Sequence, residues 1–116
     1  MILELPYPPS VNTYWRANGK RRFISKEGVA FKNAVMAYCI DQHIKSWDDK
    51  RLNVFVYIHP RSKRRFDLDN CLKAILDALM AAHVYDDDSQ IDMLSITRAE
   101  PRPGGCAMVV ISEYGK

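Results

Sequence analysis

The chain has 116 residues, 47% of them apolar and 27% charged, and carries a net charge of +3. That length suits one folded domain around one core, and the apolar fraction excludes a disordered chain. No run reaches the roughly 18 apolar residues that a membrane span needs.

The total charge hides a division. Residues 1–66 hold 13 Lys and Arg against 5 Asp and Glu, whereas residues 67–116 hold 4 against 9. A basic half of this kind fits nucleic-acid binding, and on charge alone it fits plain solubilisation equally well. Cys39, Cys71 and Cys106 are scattered and odd in number, so they form neither a disulfide framework nor a zinc pattern and suit a reducing cytoplasm. Met1-Ile2-Leu3-Glu4-Leu5-Pro6 has no basic start, no long apolar stretch and no small-residue cleavage site, so no secretory signal is expected.

In chain order, residues 1–5 read as a short strand that Pro6, Pro8 and Pro9 end in an extended, polyproline-like exit. Residues 14–23 read as a hairpin turning at Asn18-Gly19. Tyr14, Trp15, Arg16, Lys20, Arg21 and Arg22 on it could stack bases and meet phosphates, or simply cover the core. Ser25 is a plausible N-cap for a helix of about 20 residues running to Lys45, with Phe31, Val35, Met36, Cys39, Ile40 and Ile44 as its apolar face. His43 has no partner at ligand spacing and is assigned a structural role.

Leu52 to Ile58 alternates apolar residues on both faces, the pattern of a central strand. A second helix is expected from about Asn70 to Ala82, with Leu72, Ile75, Leu76, Leu79 and Met80 as its stripe. An acidic loop at Asp86-Asp87-Asp88 follows. Strands at 91–99 and 106–114, joined through Pro101-Arg102-Pro103-Gly104-Gly105, predict a closing β-hairpin. Together these elements predict a single α+β domain over residues 1–116, in two layers, with a small mixed sheet and the two main helices packed on it.

The chemistry gathers at Arg61-Ser62-Lys63-Arg64-Arg65-Phe66-Asp67-Leu68-Asp69-Asn70. Cations there run straight into two carboxylates spaced i, i+2. On an extended segment these share a side, whereas on a helix they lie about 200° apart. Asp67 is therefore expected in the last extended residues and Asp69 at or near the helix N-cap. Simple capping explains one of them, and on this pair alone capping ranks ahead of catalysis.

A third carboxylate shifts the balance. A 12-residue helix spans about 18 Å, and residues 82–88 can extend about 20 Å, so Asp88 can reach back towards the helix start. Three converging carboxylates repel by roughly 4 kcal/mol per pair at about 4 Å and an effective dielectric of about 20. Such a cluster calls for a bound cation or raised pKa values. All-oxygen donors suit Mg²⁺ or Mn²⁺. Spacing leaves open whether the third donor is Asp88 of the same chain, a neighbouring Asp, or Asp88 from a second subunit. A calcium loop beginning at Asp86 is excluded, because Ile91 replaces the required Gly and Thr97 the bidentate Glu. Lys73 and Asp77, at i and i+4, read either as a surface ion pair or as placing an ammonium at a phosphate one turn beyond Asp69.

These residues resemble the RusA-type Holliday junction resolvases, small endodeoxyribonucleases of bacteria and their phages. The resemblance rests on Pro8-Pro9-Ser10-Val11-Asn12 with Tyr14 and Arg16, and on Ser25 with Glu27-Gly28. It continues through Arg65-Phe66-Asp67-Leu68-Asp69-Asn70 with Lys73 and Asp77-Ala78-Leu79, and through Asp87-Asp88-Ser89-Gln90-Ile91. It implies a homodimer that resolves four-way DNA junctions in a Mg²⁺-dependent reaction, Mn²⁺ substituting. Paired nicks would leave 5′-phosphate ends. It places the acidic triad on Asp67, Asp69 and Asp88 and a catalytic lysine on Lys73. Asn12, Tyr14, Arg16, Lys20, Arg21, Arg22, Arg61, Lys63, Arg64 and Arg65 become the expected DNA contacts. Phe66 departs from the family, which often has arginine there. The alternatives are a general branched-DNA metal nuclease and a non-catalytic junction- or single-strand-binding module.

Overall fold

A computed structural model describes residues 1–18 and 21–116, with backbone alone for residues 12, 15–18, 21 and 22. The strands are β1 (Ile2–Pro6), β2 (Trp15–Asn18), β3 (Arg21–Ile24), β4 (Leu52–His59), β5 (Ile91–Arg98) and β6 (Cys106–Glu113). The helices are α1 (Val11–Tyr14), α2 (Lys26–Asp41) and α3 (Leu72–Ala81), with 3₁₀ turns at Leu68–Cys71 and Asp88–Gln90.

β4 organises the fold. It lies inside a mixed sheet ordered β1-β6-β4-β5, antiparallel to β6 and parallel to β5. Leu52, Val54, Val56 and Ile58 point to one face and are fully buried, where they join Phe31 and Val35 of α2 and Ile75 and Leu79 of α3 in one core. Asn53, Phe55 and Tyr57 point to the other face, which is only partly covered. The expected α+β domain, a small mixed sheet with two main helices, is the fold observed.

The expected closing hairpin is not formed. β4 separates β5 from β6, and the connection between them crosses the end of β4. Ala99 N–H bonds Ile58 O at 2.8 Å and Arg102 N–H bonds Pro60 O at 2.9 Å, so the crossing runs over the carboxyl end of that strand. Burial decides the order. β4 has apolar side chains on both faces and gains more from two flanking strands than β5, whose Met93 and Leu94 stay exposed at the sheet edge.

Ser25 caps α2 as expected, its Oγ accepting Gly28 N–H at 3.1 Å, and it also donates to Thr13 O. That second bond ties α2 to α1, a short turn the sequence pattern did not predict. Gly28 follows from the close approach. A Cβ there would come within 2.5 Å of Ile24 Cγ2 and 3.0 Å of Tyr14 O. Tyr14 therefore ends α1 instead of starting the hairpin. β2 and β3 do pair, from Trp15↔Ile24 to Asn18↔Arg21, while the predicted turn at Gly19 lies outside the described residues.

α2 stops at Asp41, four residues before the expected Lys45. His43 takes the left-handed conformation (φ 52°), its N–H reaching Ile40 O while Ile44 N–H reaches Cys39 O. This is a Schellman closure in which a non-glycine residue occupies the left-handed position. α3 ends the same way, with His83 at φ 60° and Val84 N–H bonded to Leu79 O. The structural role assigned to His43 is this closure. The buried face of α2 is also narrower than expected. It consists of Gly28, Phe31, Val35 and Cys39, while Met36 and Ile40 are exposed.

Candidate active site

β4, α3 and β5 form a strand–helix–strand unit with parallel strands. In such units ligands meet the crevice beyond the carboxyl ends of the strands. The chain leaves β4 at that end and runs through Arg61, Ser62, Lys63, Arg64 and Arg65, all exposed. A cavity of about 850 Å³ opens there, lined among others by Lys63, Arg64, Arg65, Asp67, Asn70 and Arg98. Two arginines are anchored on aromatic rings. The Arg61 guanidinium lies 4.9 Å from the Tyr7 ring centre and that of Arg98 lies 4.2 Å from Phe66.

Asp67 is extended (φ −87°, ψ 128°), as the i, i+2 argument required, and stands at the cap of the 3₁₀ turn, with Asp69 near the start of the helix as expected. Its side chain makes no capping hydrogen bond; only its backbone carbonyl accepts Asn70 N–H, at 3.1 Å. The capping explanation for this carboxylate therefore fails. Asp69 falls one residue inside the 3₁₀ turn and is exposed. Cys71 behind it is buried, and burial pushes its thiol pKa up.

Lys73 Nζ lies 3.1 Å from Asp77 Oδ1, with the lysine about half exposed and the aspartate at 14%. Tyr14 reaches the same carboxylate from α1. Burial first, then the Asp77 charge and a hydrogen bond to it, push the Tyr14 hydroxyl up to about 12. Tyr14 itself is fully buried. Its expected role as a base-stacking contact is corrected, because the ring has no open face and the hydroxyl buttresses Asp77. Tyr85, also fully buried, donates to Leu76 O at 2.9 Å. Its hydroxyl pKa is raised by burial and then by the charges of Asp88, Asp77 and Asp87, so negative potential converges on this side of α3.

The acidic loop is held by Gln90. Its Oε1 accepts Asp86 N–H at 3.0 Å and Asp87 N–H at 2.9 Å, and its Nε2 donates to Asp48 O at 2.8 Å and Lys50 O at 2.6 Å. Asp87 caps the 3₁₀ turn by accepting Ser89 N–H at 2.9 Å, and the Ser89 side chain first, then this N–H, hold its carboxyl below the usual range. With Asp87 engaged in a cap, the half-buried Asp88 and the exposed Asp86 are the carboxylates left in this loop for other work. Among the described residues no three His, Cys, Asp or Glu side chains form a group placed to hold a metal ion. The convergence of Asp67, Asp69 and Asp88 thus stays a proposal. Lys20 and the side chains of Asn12, Arg16, Arg21 and Arg22 lie outside the described residues.

Gln90 and Arg98 carry structural work that sequence reasoning gave to neither. Gln90 stood inside a quoted motif without a role, and Arg98 had only its position at a strand end. For Gln90 the effect is measurable. Gln90→Ala removes four hydrogen bonds from a site only 5% exposed, and a destabilisation of about 3 kcal/mol is expected in urea unfolding. Gln90→Glu, unable to donate to the two carbonyls, should lose a comparable amount. A change within about 0.5 kcal/mol for both would remove Gln90 as the loop's anchor.

The fold and site describe a small α+β domain in which the uncapped Asp67 lines a basic groove, an arrangement suited to acting on a polyanion. The family model described as Endodeoxyribonuclease RusA matches residues 6–112. The crossover junction endodeoxyribonuclease rusA of Enterobacteria phage HK97 is 38% identical over 109 residues, covering 94% of this chain and 91% of that protein. Those of Shigella sonnei strain Ss046 and Enterobacteria phage 82 are each 33% identical over 113 residues, covering 97% of this chain and 94% of each relative. The chain belongs to the RusA endodeoxyribonuclease family. Among the described residues no helix is long and apolar enough to cross a membrane.

Proposed function

We propose that this protein is a divalent-metal-dependent endodeoxyribonuclease that resolves four-way DNA junctions; its relatives are named crossover junction endodeoxyribonucleases. The observation that carries the reading is Asp67, an uncapped carboxylate lining the basic groove, with Lys73 in the first turn of the helix that follows. Asp67, Asp69 and Asp88 supply carboxylate oxygens only, the donor chemistry a hard cation such as Mg²⁺ or Mn²⁺ takes. They are the residues that would hold it. When bound, the ion activates water for attack at the scissile phosphate and offsets the charge that develops there.

The chain's own groups do the rest. Arg61, Lys63, Arg64 and Arg65 bind flanking phosphates, an attraction that falls steeply with salt. The start of the 3₁₀ turn presents Asn70 and backbone N–H groups beside them. Lys73, tethered by Asp77, leans its ammonium towards the phosphate as negative charge accumulates in the transition state. A homodimer would present two such sites related by a two-fold axis, which suits paired nicks leaving 5′-phosphates in a substrate with two equivalent positions. A phage or bacterial cytoplasm fits the relatives' sources.

The test is a synthetic four-way junction and a plain duplex of equal length, each with EDTA or with Mg²⁺. Paired nicks in the junction alone, only with the metal, are expected. Equal cutting of the duplex would replace the reading with a general nuclease, and junction binding without nicks would replace it with a binding module.

A further inference from the structure

The segment carrying Asp67 is fixed from outside its own helix. Arg98, the last residue of β5, reaches back over Phe66 with its guanidinium 4.2 Å from the ring centre, and its Nη2 donates to Phe66 O at 3.0 Å. That carbonyl belongs to the peptide whose nitrogen is Asp67. One side chain thus grips both the ring and the main chain of the residue before the carboxylate. The two interactions have different geometric demands. The carbonyl needs a donor in its plane, and the ring attracts a cation over its face. A planar guanidinium stacks on the ring while its fixed N–H fork meets the carbonyl, whereas a compact ammonium loses the stacking.

The need for such a grip follows from the chain path. Residues 61–65 are exposed and form neither helix nor strand, and Asp67 has no capping bond of its own. Phe66 is half-buried and packs against the core, while Arg61 of the same run rests on the Tyr7 ring. Arg98 lines the same cavity as Asp67 and stands beside Ile58 in the parallel pairing of β4 and β5. The end of β5 is therefore coupled directly to the loop leaving β4.

We propose that Arg98 is a positioning residue that, through Phe66, sets the placement of Asp67. It is not primarily a phosphate contact. The inference rests on the proposed role of Asp67 in cleavage, but its first readout is independent of that role. The residues after which trypsin cuts include Lys63, Arg64 and Arg65, and cutting follows the population of the locally open segment. In protein free of DNA and metal, Arg98→Ala and Arg98→Lys are each expected to speed cutting after Arg65 about tenfold, with cutting after Lys45 and Lys50 as the internal reference. Thermal midpoints should stay near wild type. Phe66→Leu, which keeps the carbonyl and loses the ring, should fall between.

On a four-way junction with Mg²⁺, both Arg98 variants should lose roughly ten- to hundredfold in turnover at saturating protein, the scale of a displacement of about 1 Å at a reacting centre. Their junction affinity in EDTA should stay within about threefold of wild type. Three results would overturn the proposal: unchanged proteolysis after Arg65, a loss confined to affinity, or full restoration by Arg98→Lys, since each makes Arg98 a plain cation. Should Arg98→Ala fail to fold, Arg98→Lys decides the same points. If wild type cut no junction at all, the nuclease reading would fail while the proteolysis arm still decided Arg98.

Discussion

Asp69→Asn is expected to cut a four-way junction at least about 10³-fold more slowly than wild type while binding it as tightly or more so. The substitution is isosteric and its site is exposed, so the fold should not notice it. What it removes is one negative charge and one anionic oxygen donor. A 10³-fold loss corresponds to roughly 4 kcal/mol of lost transition-state stabilisation, within reach for a carboxylate holding a catalytic cation. Binding should move the other way, because Asp69 follows the exposed cations of residues 61–65 in the chain and its charge opposes an incoming phosphate.

Asp67→Asn should behave alike. Its side chain makes no cap bond, so a simple stability loss is not available as an explanation. The third position is decided by comparing loop residues. Asp88→Asn should match the other two. Asp86→Asn should leave cutting within about threefold of wild type. Asp87→Asn should act mainly on stability, through its bond to Ser89. Binding in gel shifts and single-turnover cutting rates separate these outcomes. Near-wild-type cutting by Asp69→Asn would end the assignment of this carboxylate.

Much of this arrangement could be read from residue order, and the failures share a cause. The central place of β4 was visible because Leu52, Val54, Val56 and Ile58 alternate with Phe55 and Tyr57, which puts apolar side chains on both faces. The Ser25 cap and the extended backbone at Asp67 were visible because both are local. What could not be read depends on partners distant in sequence. Nothing in residues 91–114 says that β4 will insert between the last two strands; that follows from competition for the neighbour with the most apolar surface.

The helix ends were hidden for a different reason. His43 and His83 occupy left-handed positions where glycine would have been the signal. Tyr14 looked like a surface aromatic because its neighbours are basic, yet Gly28 opens the space that lets α1 sink it against α2. In the site, the basic loop and the first carboxylate were legible as a contiguous motif. Arg98 was not, since its target is Phe66, 32 residues earlier.

The second large effect concerns Lys73, where the two readings of the i, i+4 pair can be separated. Lys73→Ala should lower junction cutting by about 10² to 10³ with junction binding reduced only a few-fold. The pair with Asp77 is real, at 3.1 Å, so the same substitution also strands a mostly covered carboxylate whose other neighbour is the Tyr14 hydroxyl. A stability loss of about 1 kcal/mol is expected from that alone, somewhat above the usual i, i+4 value because Asp77 is sheltered.

Adding Asp77→Asn removes the stranded charge. The double variant should therefore recover most of the stability and none of the cutting, because the stability effect runs through Asp77 while the catalytic effect runs from Nζ to the phosphate. Asp77→Asn alone should keep Lys73 but free it, giving a smaller loss of turnover, about tenfold, with little change in binding. Urea unfolding and single-turnover cutting of the three variants complete the cycle. Recovery of cutting together with stability in the double variant would reduce Lys73 to an ion-pair partner. The ammonium would then have no part in the chemistry.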